Sequence, residues 1–341
     1  MSDAPYGLIN VIYDSADGSI KVVPPRKSMD KKAVIELFLV ACIIGFAVLG
    51  FDYCTDLYVK LIAKTPLMKY YDTSEAMYNI IQTFFSLFAI MIPFGLALPL
   101  IKLVQRDTVI LPLWKPNSKK VFVAALGVAF LTVLISNVIV SMGTIFGEAV
   151  GFEFEMSESP APQSFGGFLW QVLSVAMVPA FVEEFAIRGI MLQSLRKYGD
   201  LFAIIVSSIF FGLMHGNCLQ APFAFILGMV MCWLVIKTDS LWTGIAIHFM
   251  NNFYATTLLA LGEVCSTAVY VAIVAGLNVV GALLGVVAII WFVDKKEVNL
   301  ELKKVYKWEP YLVALCSIPM LIAIINLIKT CLDTVSYVGF D

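Results

Sequence analysis

Apolar residues in this chain gather in long runs separated by short polar breaks. Runs of the length a helix needs to cross a lipid core, about 17 to 25 residues, fall at 33–51, 77–104, 121–145, 168–195, 201–217, 222–236, 241–261, 268–293 and 311–328. The run at 222–236 is the shortest and reads as a tilted or partial span. The pattern predicts an all-α fold, a polytopic membrane bundle of about eight or nine transmembrane helices. It divides the chain into a polar tail (1–32), a first group of membrane helices (33–146), a central group (165–262) and a last group (263–341). The longest breaks are 52–75, 105–120 with Pro112 and Pro116, the acidic stretch near 148–158, and 294–310. In the last of these, Val298, Leu302 and Val305 are spaced for a helix lying on the membrane surface; a solvated connector accounts for them equally well.

Composition agrees. Of 341 residues, 60% are hydrophobic and 14% charged, with a mean hydropathy of +0.89, against about 25% charged in soluble domains. The bilayer is therefore the main partner. A net charge of -2 carries no signal for nucleic acid, and charge is informative only loop by loop. The tail has no leading apolar run, so no signal peptide is expected, and its Lys21, Arg26, Lys27, Lys31 and Lys32 hold the N-terminus in the cytoplasm. Alternating the loops from there collects Lys102, Arg106, Lys115, Lys119, Lys120, Arg196, Lys197, Lys237, Lys295, Lys296, Lys303, Lys304 and Lys307 on the inside. The outside keeps Lys60, Lys64, Lys69 and Lys329 and receives Glu148, Glu153, Glu155 and Glu158. Cys42, Cys232 and Cys316 sit within spans as small apolar fillers. Cys54, Cys218, Cys265 and Cys331 fall near outer ends, where free thiols are the simpler reading and a disulfide the lesser one.

Ionisable groups within spans are costly and mark function. Few stand there: Glu183, Glu184 and Arg188 on the fourth run, His215 at the far end of the fifth, and His248 on the seventh, with Asn251 and Asn252 beyond it. The chain's two histidines are both in this set. Residues four apart share a helix face, so Glu184 faces Arg188 as an ion pair, while Glu183 points elsewhere without a partner on its own helix. An unpaired carboxylate in an apolar surround is the kind of group that serves as a general base. His248 and Asn252 share a face, Asn251 competes with Asn252 on spacing alone, and Phe211 lies one turn before His215, placed to pack beneath its ring. Taken singly, each of these is more often a bond between membrane helices than a catalyst. Counted from Lys197, Leu201 and Lys237 at ~1.5 Å per residue, however, Glu183, His215 and His248 all reach roughly 16 to 21 Å, near mid-membrane.

The segments Glu183-Glu184-Phe-Ala-Ile-Arg188, Phe211-Gly-Leu-Met-His215 and His248-Phe-Met-Asn-Asn252 resemble the E-E-x-x-x-R, F-x-x-x-H and H-x-x-x-N motifs of the type II CAAX prenyl endopeptidase and bacteriocin-processing family, also called the CPBP or Abi family of intramembrane proteases. The resemblance covers roughly Phe168 to Leu261. It implies an intramembrane endopeptidase acting on a membrane-associated peptide or protein. In it Glu183 activates water, His215 and Asn252 hold the carbonyl or orient the water, His248 supports them, and Glu184 with Arg188 is structural. Glu183, His215 and His248 are also a ligand set for catalytic zinc. With no H-E-x-x-H present and Glu184 tied to Arg188, a mechanism without a cofactor is preferred, because no other base remains if Glu183 binds metal. Bacterial peptide processing or self-immunity at a cytoplasmic membrane is placed ahead of prenyl-protein maturation. A transporter or a non-catalytic scaffold is the competing class; the paired broken helices of inverted repeats are not found. Oligomeric state and substrate are not legible.

Overall fold

The computed structural model describes residues 10–13, 20–23, 28–71, 73–155, 160–295 and 301–339. Arg26, Lys27, Glu158, Lys296 and Val298, named above, lie outside them. Near the N-terminus β1 (Asn10–Tyr13) and β2 (Ile20–Val23) form an antiparallel pair, a feature the sequence did not announce.

The long helices begin where polar caps meet apolar runs. α1 (Lys31–Ala63) starts at Asp30, whose carboxylate accepts from Ala33 N at 2.7 Å. After the short α2 (Leu67–Tyr71), α3 (Glu75–Val104), α4 (Lys119–Ala149) and α5 (Phe165–Tyr198) start at Ser74, Ser118 and Ser164, each hydroxyl accepting a first-turn N–H. Such caps satisfy donors that have no partner inside the helix. α6 (Asp200–Leu213), α7 (Gln220–Thr238), α8 (Leu241–Val264) and α9 (Thr267–Lys295) follow. The chain ends on α10 (Glu309–Leu315) and α11 (Ile318–Leu332). In the 294–310 break, residues 301–308 are not helical, while 294–295 end α9 and 309–310 open α10.

The expected count of eight or nine membrane helices is corrected. Among the described residues six helices are long and apolar enough to cross, α1, α3, α4, α5, α7 and α9, or seven if α10 and α11 count as one span broken by 79°. Hydropathy overcounted for two reasons. The run at 201–217 folds as only 14 helical residues, a rise of about 21 Å against a hydrocarbon core of about 30 Å. α8 has the length, with 24 residues, but His248, Asn251 and Asn252 interrupt its apolar run. The shortest predicted run, 222–236, does form a span of 19 residues as α7.

Packing proceeds around two buried clusters. One joins Leu37 and Ile44 of α1, Phe94 and Ile101 of α3, Ile187 and Met191 of α5, Phe210 and Phe211 of α6, and Leu327 of α11. The other joins Val121, Ala125 and Val133 of α4, Leu227 and Met231 of α7, Ile247 of α8 and Phe292 of α9. α1 and α11 approach so closely that a Cβ on Gly45 would collide with the backbone of Pro319 and Met320. α9 shows lipid most of its length, with Val279, Leu283, Val287 and Ile290 exposed.

Loop contacts gather the polar breaks at two ends of the bundle. At one end Asn117 donates to the Lys237 carbonyl at 3.1 Å, Trp114 donates to Asp239 at 3.2 Å, Lys303 N donates to Asp200 at 2.8 Å, and Lys197 pairs with Glu36. At the other, Asn217 donates to the Glu155 carbonyl at 2.6 Å and Cys218 N to Thr334 at 3.1 Å. There β3 (Phe152–Phe154) pairs antiparallel with β4 (Val335–Tyr337), Phe152 opposite Tyr337. All seven cysteines are free thiols.

Candidate active site

α5 is not a regular helix. Wide π turns occupy Val172–Met177 and Phe185–Met191, and between them the α-helical segment Val178–Glu184 carries both glutamates. Pro179 has no N–H to return to the Val175 carbonyl four residues earlier. Asn252 of α8 meets that carbonyl instead, donating from Nδ2 at 3.2 Å. Asn251 Nδ2 in turn donates to Asn252 Oδ1 at 3.0 Å. The amide of Asn252 thus locks α8 to the broken part of α5, and both asparagines belong to one chain of bonds.

Glu184 and Arg188 form the pair their spacing predicts, at 2.6 Å and with both side chains fully buried. Removing one partner of such a pair costs about 3–5 kcal/mol, because the other charge is left without compensation. Arg188 also lies over the ring of Phe211, its Cζ 4.0 Å from the centroid, and reaches Met231 Sδ at 3.6 Å. Phe211 presents its edge contacts to both histidines, 5.0 Å from His215 and 5.7 Å from His248.

His248 connects what helix geometry had separated. Its Nδ1 lies 3.0 Å from Glu184 Oε1 and its Nε2 lies 3.9 Å from Glu183 Oε2. Neighbouring glutamates diverge by about 100° around a helix, yet an imidazole has a nitrogen on each edge and spans the divergence. A carboxylate oxygen accepts, so Nδ1 carries a proton toward Glu184 while Nε2 faces Glu183. The close approach depends on Gly244, one turn before His248: a Cβ there would collide with Glu184 Oε2. That oxygen is buried with no hydrogen-bond partner. A glycine four residues before a membrane histidine is the trace of this contact in the sequence.

His215 stands just past the end of α6, where Gly216 at φ +63° turns the chain. Its Nδ1 lies 2.7 Å from the Phe211 carbonyl. A carbonyl can only accept, so Nδ1–H is the donor and Nε2 is left for whatever occupies the neighbouring space. That space is a chamber of about 280 Å³ whose walls include Glu183, Phe211 and His215, together with Asp52 of α1, Ser86 of α3 and Thr330 of α11. The Glu183 side chain is 23% exposed, against 5% for His248 and none for Glu184. Glu183 is therefore the member of the cluster with room to meet a small molecule.

Catalytic zinc needs three protein ligands converging on one point with a fourth position open. Among the described residues no three His, Cys, Asp or Glu side chains converge in that way, so Glu183, His215 and His248 as placed do not fit a zinc ion.

No curated protein and no solved structure matches the chain. Residues 165–254, from the first turn of α5 to two residues past Asn252, are similar to the Rce1-like family, described as Type II CAAX prenyl endopeptidase Rce1-like, a match that covers 90 of the 341 residues.

Proposed function

We propose that this chain is an intramembrane endopeptidase that hydrolyses a peptide bond with water activated by Glu183. The observation that carries the reading is the 3.9 Å between Glu183 Oε2 and His248 Nε2 at the side of a chamber, inside the stretch that matches the endopeptidase family. A water oxygen about 2.8 Å from each atom fits this separation, giving one hydrogen to the carboxylate and one to the imidazole. Its lone pair is then free to attack a carbonyl carbon. Glu183 takes the proton as the C–O bond forms. Glu184, held by Arg188, fixes the His248 tautomer that makes Nε2 an acceptor. His215, with Nδ1–H committed to Phe211, holds Nε2 at the chamber beside the position of the carbonyl oxygen. Asn252 positions α8.

The match to a prenyl endopeptidase favours a prenylated CAAX-type carboxyl terminus as substrate over the bacterial peptide-processing or immunity role that the sequence put first. The test uses the full chain in liposomes with a farnesylated CAAX peptide and its unprenylated counterpart. Cleavage after the prenylated cysteine is expected, with Glu183→Gln abolishing turnover while retaining substrate affinity, because the amide keeps the shape and cannot take a proton. A fully active Glu183→Gln protein would place the base elsewhere.

A further inference from the structure

Asp52 was set aside by the sequence as the first residue of a polar break, because the apolar run ends at Phe51. The helix does not end there. α1 continues to Ala63, which puts Asp52 on a continuous helix, at the far end of its apolar run, and in the wall of the chamber that holds Glu183 and His215. Among the described residues Asp52 makes no hydrogen bond and no ion pair. The other polar groups of that wall are differently placed. Ser86 donates to the Gln82 carbonyl and Thr330 to the Asn326 carbonyl. An ionisable side chain that lines a chamber beside another carboxyl group, with no partner of its own, is a candidate for chemistry there.

Two carboxyl groups, from different helices, therefore line one small chamber that, among the described residues, no Lys or Arg lines, while the buried Arg188 is committed to Glu184 and lies over the Phe211 ring. Two such groups in one site divide into an acid and a base. Glu183 touches His248 and has the base position. Resting on the endopeptidase reading, we propose that Asp52 is a second catalytic residue, the general acid that protonates the leaving nitrogen. Glu183 accepts a proton from water as the water oxygen bonds to the carbonyl carbon. Asp52 gives its proton to the amide nitrogen as the C–N bond breaks, releasing a neutral amine and a carboxylic acid. The proton on Glu183 then passes to the Asp52 carboxylate and restores both. Thr55, three residues along α1, has a hydroxyl with no partner, a donor for Asp52 in its ionised interval.

A general acid matters in proportion to how poorly the leaving group departs. The full chain in liposomes is given the farnesylated peptide and, separately, a farnesyl-cysteine p-nitrophenyl ester, whose phenolate leaves without a proton. Asp52→Asn is expected to lower kcat on the peptide by roughly 10²-fold or more and to leave hydrolysis of the ester near the unsubstituted rate, with Asp52→Glu recovering peptide cleavage. Asp52→Ala, which removes the acid without installing an amide, gives the same contrast. Equal slowing of both substrates, or an unchanged peptide rate, overturns the assignment. Glu183→Gln abolishes both reactions if the endopeptidase reading holds. An unsubstituted protein that cleaves neither substrate would sink that reading itself.

Discussion

Gly244 carries a burden at the level of single atoms. Its missing side chain is the space in which Glu184 Oε2 sits, and Glu184 cannot retreat because Arg188 holds it at 2.6 Å and His248 at 3.0 Å. Gly244→Ala is therefore expected to destabilise the protein by ~1–3 kcal/mol through overpacking and to lower activity by tilting His248. Gly276→Ala, whose new methyl would meet nothing within 4 Å, should be neutral or stabilising by up to about 1 kcal/mol. Thermal unfolding of the two variants in detergent decides it, and equal shifts would refute the account of Gly244. The Glu184–Arg188 pair was legible in the sequence, because a spacing of four is a statement about one helix. The contact of His248 with both glutamates was not, since it depends on how two helices face each other.

The first wide turn of α5, Val172–Met177, adjoins a residue the sequence shows plainly, Pro179, but the consequence lies on another helix. The carbonyl of Val175 is served by Asn252. Asn252→Ala should remove that bond at a cost of ~0.5–1.5 kcal/mol, and in a Pro179→Ala background, where a backbone N–H is again available, the same substitution should cost clearly less. A double-mutant cycle on unfolding free energies measures the coupling. Additive effects would mean the two residues are unrelated. Hydropathy located α1, α3, α4, α5, α7 and α9 because each is an apolar run long enough to cross. It could not detect the π turns of α5, since a running average has no phase. It also took α6 for a span although only 14 of its residues are helical, and it ended α1 too early because polar Asp52 and the residues after it looked like a loop.

At the scale of the whole molecule, charge divides between the two ends. The end joined by Asn117, Trp114, Asp200 and Lys303 carries most of the lysines and arginines, and we propose that it faces the cytoplasm. A reporter inserted after Lys120 should then read cytoplasmic and one at Glu153 external; the reverse pair of results would invert the protein. Alternation of the loops assumed nine crossings, whereas among the described residues six or seven helices are long and apolar enough to cross; the contacts of Asn117 with Lys237 and of Lys303 with Asp200 nonetheless bring residues of those loops together. One close approach also limits how the machine can move. Where Gly45 lets α1 rest directly on the backbone of Pro319 and Met320, no side chain on α1 stands between the helices at the crossing, and buried Val48, Ala323 and Leu327 pack around it, so the joint behaves as a weld. Asp52 rides on one side of that weld and Thr330 on the other. These two walls of the chamber therefore swing as one rigid leaf, and a gap wide enough for a peptide opens along another seam.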